Sequence, residues 1–310
     1  MLVLLLALMA FAVTSGVLVA PAYASAPPPN DAASAGGVSS PSAVTPLPVD
    51  KSGGFKPDPD GYLSEWEYQD ASLSVRIVGD RIHDTDYLVA YIKVADPSQV
   101  RTAVAGRHNS QETVPGATIA KRVNAVLAIN GDFYSFRPNG YIIRQAQGYH
   151  KIPNGLDILF IDDRGDLHAV ESPTRESVAG YLASLNGRQI INSFTFGPLL
   201  VRDGAPITKP YSSDVAAGKQ TQRMGIAQIG PLEYLCVSTE GPEDPGSSGL
   251  TIEQFAGLME SLGADIAYNL DGGSSNTLVF GNKKINSPNN PKVRPIFDIL
   301  YFATAIDSER

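Results

Sequence analysis

Apolar positions in this chain fall mostly in short runs of about four to eight residues, bounded by glycine, proline and small polar side chains, which is the spacing of strands. Such runs predict strands at 72–78 (SLSVRIV), 87–94 (YLVAYIKV), 125–129 (AVLAI), 157–161 (DILFI), 223–229 (RMGIAQI), 233–239 (EYLCVST), 265–270 (DIAYNL), 277–280 (TLVF) and 297–304 (FDILYFAT). Turn chemistry separates them at 162–166 (DDRGD), 202–206 (RDGAP) and 281–284 (GNKK). Helical periodicity is confined to about 117–124, 174–185 and 251–262. The last of these is the best specified: Thr251 and Gln254 form a capping box, Ile252, Phe255, Ala256, Met259 and Leu262 share a face, and Gly263 follows where a left-handed residue closes a helix. The pattern predicts an α+β fold, a mixed β-sheet with packed helices. Strand 233–239, helix 251–262 and strand 265–270 are expected to form a C-terminal parallel βαβ unit.

The two ends of the chain differ in kind. Residues 2–20 are almost wholly apolar and Ala22-Tyr23-Ala24 resembles an export cleavage site, so residues 1–24 are expected to be a signal peptide and the protein secreted or held in the cell envelope. No Lys or Arg precedes the apolar run, which leaves an uncleaved membrane anchor as the alternative. Residues 25–60 are rich in Ala, Ser, Pro and Gly and are expected to be a disordered linker, with the folded domain spanning 61–310. A net charge of −8 and the absence of a basic patch argue against a nucleic-acid partner. Cys236, the single cysteine, excludes an intrachain disulfide and reads as a small core hydrophobe.

Candidate chemistry gathers at strand ends. Run 125–129 leads into Asn130-Gly131-Asp132, run 233–239 into Glu240-Gly241, and run 265–270 into Asp271-Gly272-Gly273, as if three strands delivered polar groups to one rim. Asn-Gly and Asp-Gly pairs are also ordinary turn formers. Arg223 suits a phosphate or carboxylate partner, with a structural salt bridge as the alternative. No Walker loop or dinucleotide fingerprint is present, so no nucleotide cofactor is expected. His83, His108, His150 and His168 lack helical metal-ligand spacing.

The stretches AVLAINGDFYS, FTFGPLLVRDG, QRMGIAQIG and GLTIEQFAGLMESLGADIAYNLDGGSSNTLVF occur in an order that resembles the phosphodiester glycosidase family over roughly residues 85–304. The resemblance carries over onto Asn130, Gly197, Pro198, Arg223, Gly225, Asp271, Gly272 and Gly273. Ser274 stands where the family usually has a third glycine, and Asp132 occupies a variable position. The resemblance implies hydrolysis of a sugar joined through its anomeric carbon to a phosphodiester, in envelope or extracellular polysaccharide.

On that reading Arg223 binds the phosphate, Asp271 is base or nucleophile, and Glu240 or Asp132 is a second acid. Asn130, with Gly131 beside it, and Asn269 would orient the sugar, Gly197 and Ser274 would line the pocket, and Gly272 and Gly273 would let substrate approach the backbone. No cofactor is required, although three acids at one rim could hold a divalent cation. The alternative is a non-catalytic envelope module that binds phosphorylated glycans.

Overall fold

The computed structural model describes residues 43–208, 216–287, 290 and 294–307; the expected signal peptide and the first part of the linker lie outside them. Three antiparallel sheets enclose a common core. Tyr68, Val75, Ile77 and Ile92 enter it from a nine-stranded sheet, Leu127, Ile129, Leu300 and Phe302 from a five-stranded sheet, and Leu159, Ile161 and Phe194 from a second five-stranded sheet.

Burial explains why some strands alternate and others do not. The edge-side strand Leu73–Ile82 alternates buried and exposed residues over its first half. Met224–Gly230 and Glu233–Thr239 lie inside the large sheet and are apolar on both faces. Met224, Ile226 and Cys236 face the common core, while Ala227, Leu235 and Val237 face the helix Ile252–Ser261. Burial also pushes the Cys236 thiol far above its ordinary pKa, which keeps it protonated.

All three expected helices form, as Gly116–Arg122, Arg175–Ser184 and Ile252–Ser261, and the capping box of Thr251 and Gln254 is made. The expected parallel βαβ unit is not. Strands Glu233–Thr239 and Ile266–Leu270 do run in the same direction, but Met224–Gly230 lies between them and pairs antiparallel with each. Among the described residues every paired strand is antiparallel, so the sheet is not mixed.

The expected linker needs a second correction: within 25–60, the described part from residue 43 packs on the body. Leu47 is buried, the Gly54 amide donates to the Val123 carbonyl, and the buried Arg101 guanidinium donates to the carbonyls of Pro48 (3.0 Å) and Ser52 (2.8 Å). Long-range hydrogen bonds replace the apolar side chains whose absence suggested disorder. Among the described residues no helix is long and apolar enough to cross a membrane.

Candidate active site

The strand Leu127–Asn130 belongs to one sheet and Ile266–Leu270 to another, and their ends meet. The Asn130 amide joins them: its Nδ2 donates to the Asp271 carbonyl (2.7 Å) and its Oδ1 accepts from the Thr277 amide (3.0 Å). Asn130 is therefore a positioning residue that fixes the turn after Leu270. Gly272 is needed because a Cβ would lie 2.5 Å from the Gln222 carbonyl oxygen, closing the approach that lets the Gly273 amide donate there at 3.1 Å. Gly131 is needed because a Cβ would collide with the Asp298 carboxylate. These glycines serve protein packing, not substrate approach; only at Gly273, with φ +57°, is the space open.

Asp271 stands in the wall between two cavities of about 340 and 370 Å³, both of which also touch Phe133 and Arg294. Burial lifts its carboxyl pKa to about 6 against the opposing effects of a Ser275 hydrogen bond and the charges of Arg294 and Arg137. The half-exposed Arg294 reaches Asp271 Oδ2 at 3.5 Å and donates from Nε to Ser275 Oγ at 2.8 Å. The Arg137 guanidinium packs on the adjoining rings of Phe133 and Phe196, 4.6 and 4.8 Å from their centres, and donates from Nη1 to the Thr195 carbonyl at 2.9 Å. Phe133 itself takes a left-handed backbone, φ 44°, and its amide donates to Asp298 Oδ1 at 3.0 Å.

Of the sequence-predicted residues, Arg223, Asn269, Gly272 and Gly273 share the 370 Å³ cavity with Asp271, and Asn130 and Gly131 share the 340 Å³ one. Arg223 and Asp271 thus do face a common space. The guanidinium of Arg223 is nevertheless engaged, donating to the carbonyls of Leu250 (3.0 Å) and Lys219 (2.7 Å), and burial pulls its pKa down to about 10. It pins the loop that borders the cavity. Asn269 donates to the Gly197 carbonyl at 2.7 Å, while its buried Oδ1 has no partner among the described residues. Gly197 has φ +74° and presents its carbonyl to Asn269. Ser274 belongs to neither cavity lining, and its carbonyl accepts from the Arg294 amide.

Two expected acids are elsewhere. Asp132 is fully buried; its Oδ1 accepts from Arg144 (2.7 Å) and its Oδ2 from the Thr195 amide (2.7 Å). Arg144 also donates to Asp298 at 2.9 Å, so one guanidinium serves two buried carboxylates. Burial and the Asp132 charge raise the Asp298 pKa above the ordinary carboxylate value. Glu240 lines a different cavity, beside Arg81 and Asp86, and accepts from Ser247. Asp132, Glu240 and Asp271 therefore do not converge on a metal. Asp162, Asp166 and His168 do have ligand atoms within 4.8 Å of one another, but Arg188 already donates to both aspartates at 2.8 Å.

Arg294, Arg137, Ser275 and Asp298 are the site residues missed in sequence. Asp298 opens the strand Asp298–Phe302, which runs antiparallel beside Leu127–Asn130 and so starts where its neighbour ends. A search restricted to carboxyl ends of strands passes over it.

The profile of the family described as phosphodiester glycosidase matches residues 123–303. The chain is similar in fold to the zebrafish N-acetylglucosamine-1-phosphodiester alpha-N-acetylglucosaminidase catalytic domain, described as auto-inhibited by pro-peptide. The two share 16% identity over 81% of this chain and 86% of that one, with a TM-score of 0.59. A hypothetical protein from Synechocystis aligns at 16% identity over 75% of this chain and 62% of that one, TM-score 0.50. No curated protein sequence matches the chain.

Proposed function

The chain belongs to the phosphodiester glycosidase family, and from that premise we propose that it hydrolyses the bond between a sugar's anomeric carbon and a phosphodiester in envelope or extracellular polysaccharide. The observation that carries this reading is the Asp271 carboxyl, buried between two cavities with two guanidinium groups near it. A glycosidase acting on an ordinary alkoxide leaving group uses two carboxyl groups, one of them to protonate the departing oxygen. A phosphate ester departs as a stable anion, so the need for that proton is small. What remains is to hold the phosphate and to supply an electron pair at the anomeric carbon.

Arg294 takes the phosphate role first expected of Arg223, while Arg137, one nitrogen of which is held by the Thr195 carbonyl, adds its charge beside it. Arg294 is half-exposed, and its ion pair with Asp271 is long, so it exchanges at little cost for a substrate phosphate. Guanidinium groups bind phosphate through paired, directional hydrogen bonds. Asp271, ionised above its pKa of about 6, attacks the anomeric carbon or removes a proton from the attacking water. The unpartnered Asn269 Oδ1 accepts a sugar hydroxyl, since leaving such a buried acceptor unsatisfied costs about 1–3 kcal/mol.

Purified protein lacking residues 1–24, offered a panel of nitrophenyl phosphodiesters of sugars, is expected to turn over at least one. Arg294→Gln is expected to lower kcat/KM roughly tenfold to a hundredfold, the loss of one charge-assisted phosphate contact of about 1.5–3 kcal/mol. Binding across the panel without turnover would instead identify a glycan-binding module.

A further inference from the structure

A further cavity, of about 600 Å³, shares no lining residue with the two at Asp271, and its lining includes Lys51, Arg107, His108, Arg122, Arg144 and Gln145. None of its lining residues is acidic, although the chain as a whole carries a net charge of −8. The Glu112 carboxylate packs against Gly106 without joining that lining. Lys51 and Arg107 are exposed, so their charges remain available to solvent-borne ligands.

The polar atoms at this place ask for both a donor and an acceptor. Arg144 uses its terminal nitrogens on Asp132, Asp298 and backbone carbonyls, and its Nε is left without a partner among the described residues. Next to it in the chain, Gln145 has a buried Oε1 that is likewise unpartnered. The His108 ring stacks on Tyr149 with centroids 4.0 Å apart and planes within 6°, and its Nδ1 lies 2.7 Å from the Tyr134 hydroxyl. An aromatic pair held flat in this way offers a face for the C–H side of a sugar ring.

We propose that this cavity is a second, non-catalytic binding site for a phosphorylated sugar: Lys51 and Arg107 receive the phosphate, Arg122, held by the Val104 and Ala105 carbonyls, adds only its charge, and the Gln145 carbonyl accepts a sugar hydroxyl. Inorganic phosphate alone satisfies only the cations, and a neutral sugar only the amide and the rings. A ligand carrying both groups fits the whole lining. The site stands independently of what Asp271 does, since the two share no lining residue.

Titration calorimetry with glucose 6-phosphate, glucose and inorganic phosphate tests it, on the wild type, on Lys51→Gln/Arg107→Gln and on Arg294→Gln. Both Lys51 and Arg107 are exposed, so their replacement leaves folding intact, which thermal unfolding would verify. Glucose 6-phosphate is expected to bind tighter than either fragment, to keep its affinity in Arg294→Gln, and to lose at least tenfold in the double variant. Unchanged affinity in the double variant, complete loss in Arg294→Gln, or equal binding of glucose or inorganic phosphate would each overturn the proposal.

Discussion

At the scale of single residues, the site depends on one carboxyl kept in an unfavourable place. Folding moves Asp271 from an ordinary carboxylate pKa of 3.8 to about 6, chiefly by desolvation. A carboxyl raised in this way contributes stability that is fully present below its unfolded value and is lost as pH rises through its folded value. Asp271→Asn removes that loss. The variant is expected to be more stable than wild type at pH 7.5, by on the order of 3 kcal/mol from the shift of about two pKa units. The difference should shrink toward zero near pH 4, which thermal unfolding at the two pH values would reveal. Its activity is expected to fall by about a hundredfold to ten-thousandfold. Wild-type kcat/KM should fall on the acid side with a midpoint near 6 as the carboxylate takes up its proton.

Residue roles were only partly legible in the chain. Asp271 and the turn after Asn130 announced themselves because glycine follows polar residues at the end of apolar runs. What such a pattern leaves open is whether a glycine yields to substrate or to the protein's own backbone, and here Gly272 yields to Gln222. Nor does it reveal whether a charge is already spent. Arg223 is held by carbonyls and Asp132 by Arg144, whereas the cation beside Asp271, Arg294, sits in an Asn- and Pro-rich segment that carries no motif.

Among secondary-structure elements, local chemistry predicted helices better than strands. Caps are local, so the ends of the helix Ile252–Ser261 followed from Thr251, Gln254 and Gly263. Thr251→Ala, which leaves the Gln254 amide without its 3.2 Å partner, is expected to cost about 1 kcal/mol in chemical denaturation. The hairpin Gly140–Arg144 and Gln147–Ile152 was missed because its turn places Gln145 and Ala146 at positive φ, without an Asn-Gly or Asp-Gly signal. Strand adjacency is non-local altogether. The direction of Glu233–Thr239 relative to Ile266–Leu270 follows from the helix between them, but the strand inserted between the two comes from earlier in the chain. An antiparallel sheet also brings strand starts and strand ends to the same edge, which is how Asp298 joins Asn130.

Across the whole molecule, the folded body begins earlier than composition suggests. Leu47 is buried and the Arg101 guanidinium depends on carbonyls of Pro48 and Ser52. Removing residues 1–60 exposes the Leu47 site and strips a buried cation of its acceptors, at a cost of at least about 3 kcal/mol. For a domain of this size that corresponds to a drop of roughly 10 °C. The same packing places Lys51 over the Tyr149 ring at 6.0 Å, beside the cationic cavity.

In the proposed reaction Asp271 directs attack at the sugar's anomeric carbon and not at phosphorus. Hydrolysis of a sugar-1-phosphodiester in oxygen-18 water, followed by mass spectrometry of both products, reports which bond breaks. The label is expected in the sugar hydroxyl for the wild type, with turnover lost in Asp271→Asn. Label in the phosphate, or undiminished turnover by Asp271→Asn, would contradict the account.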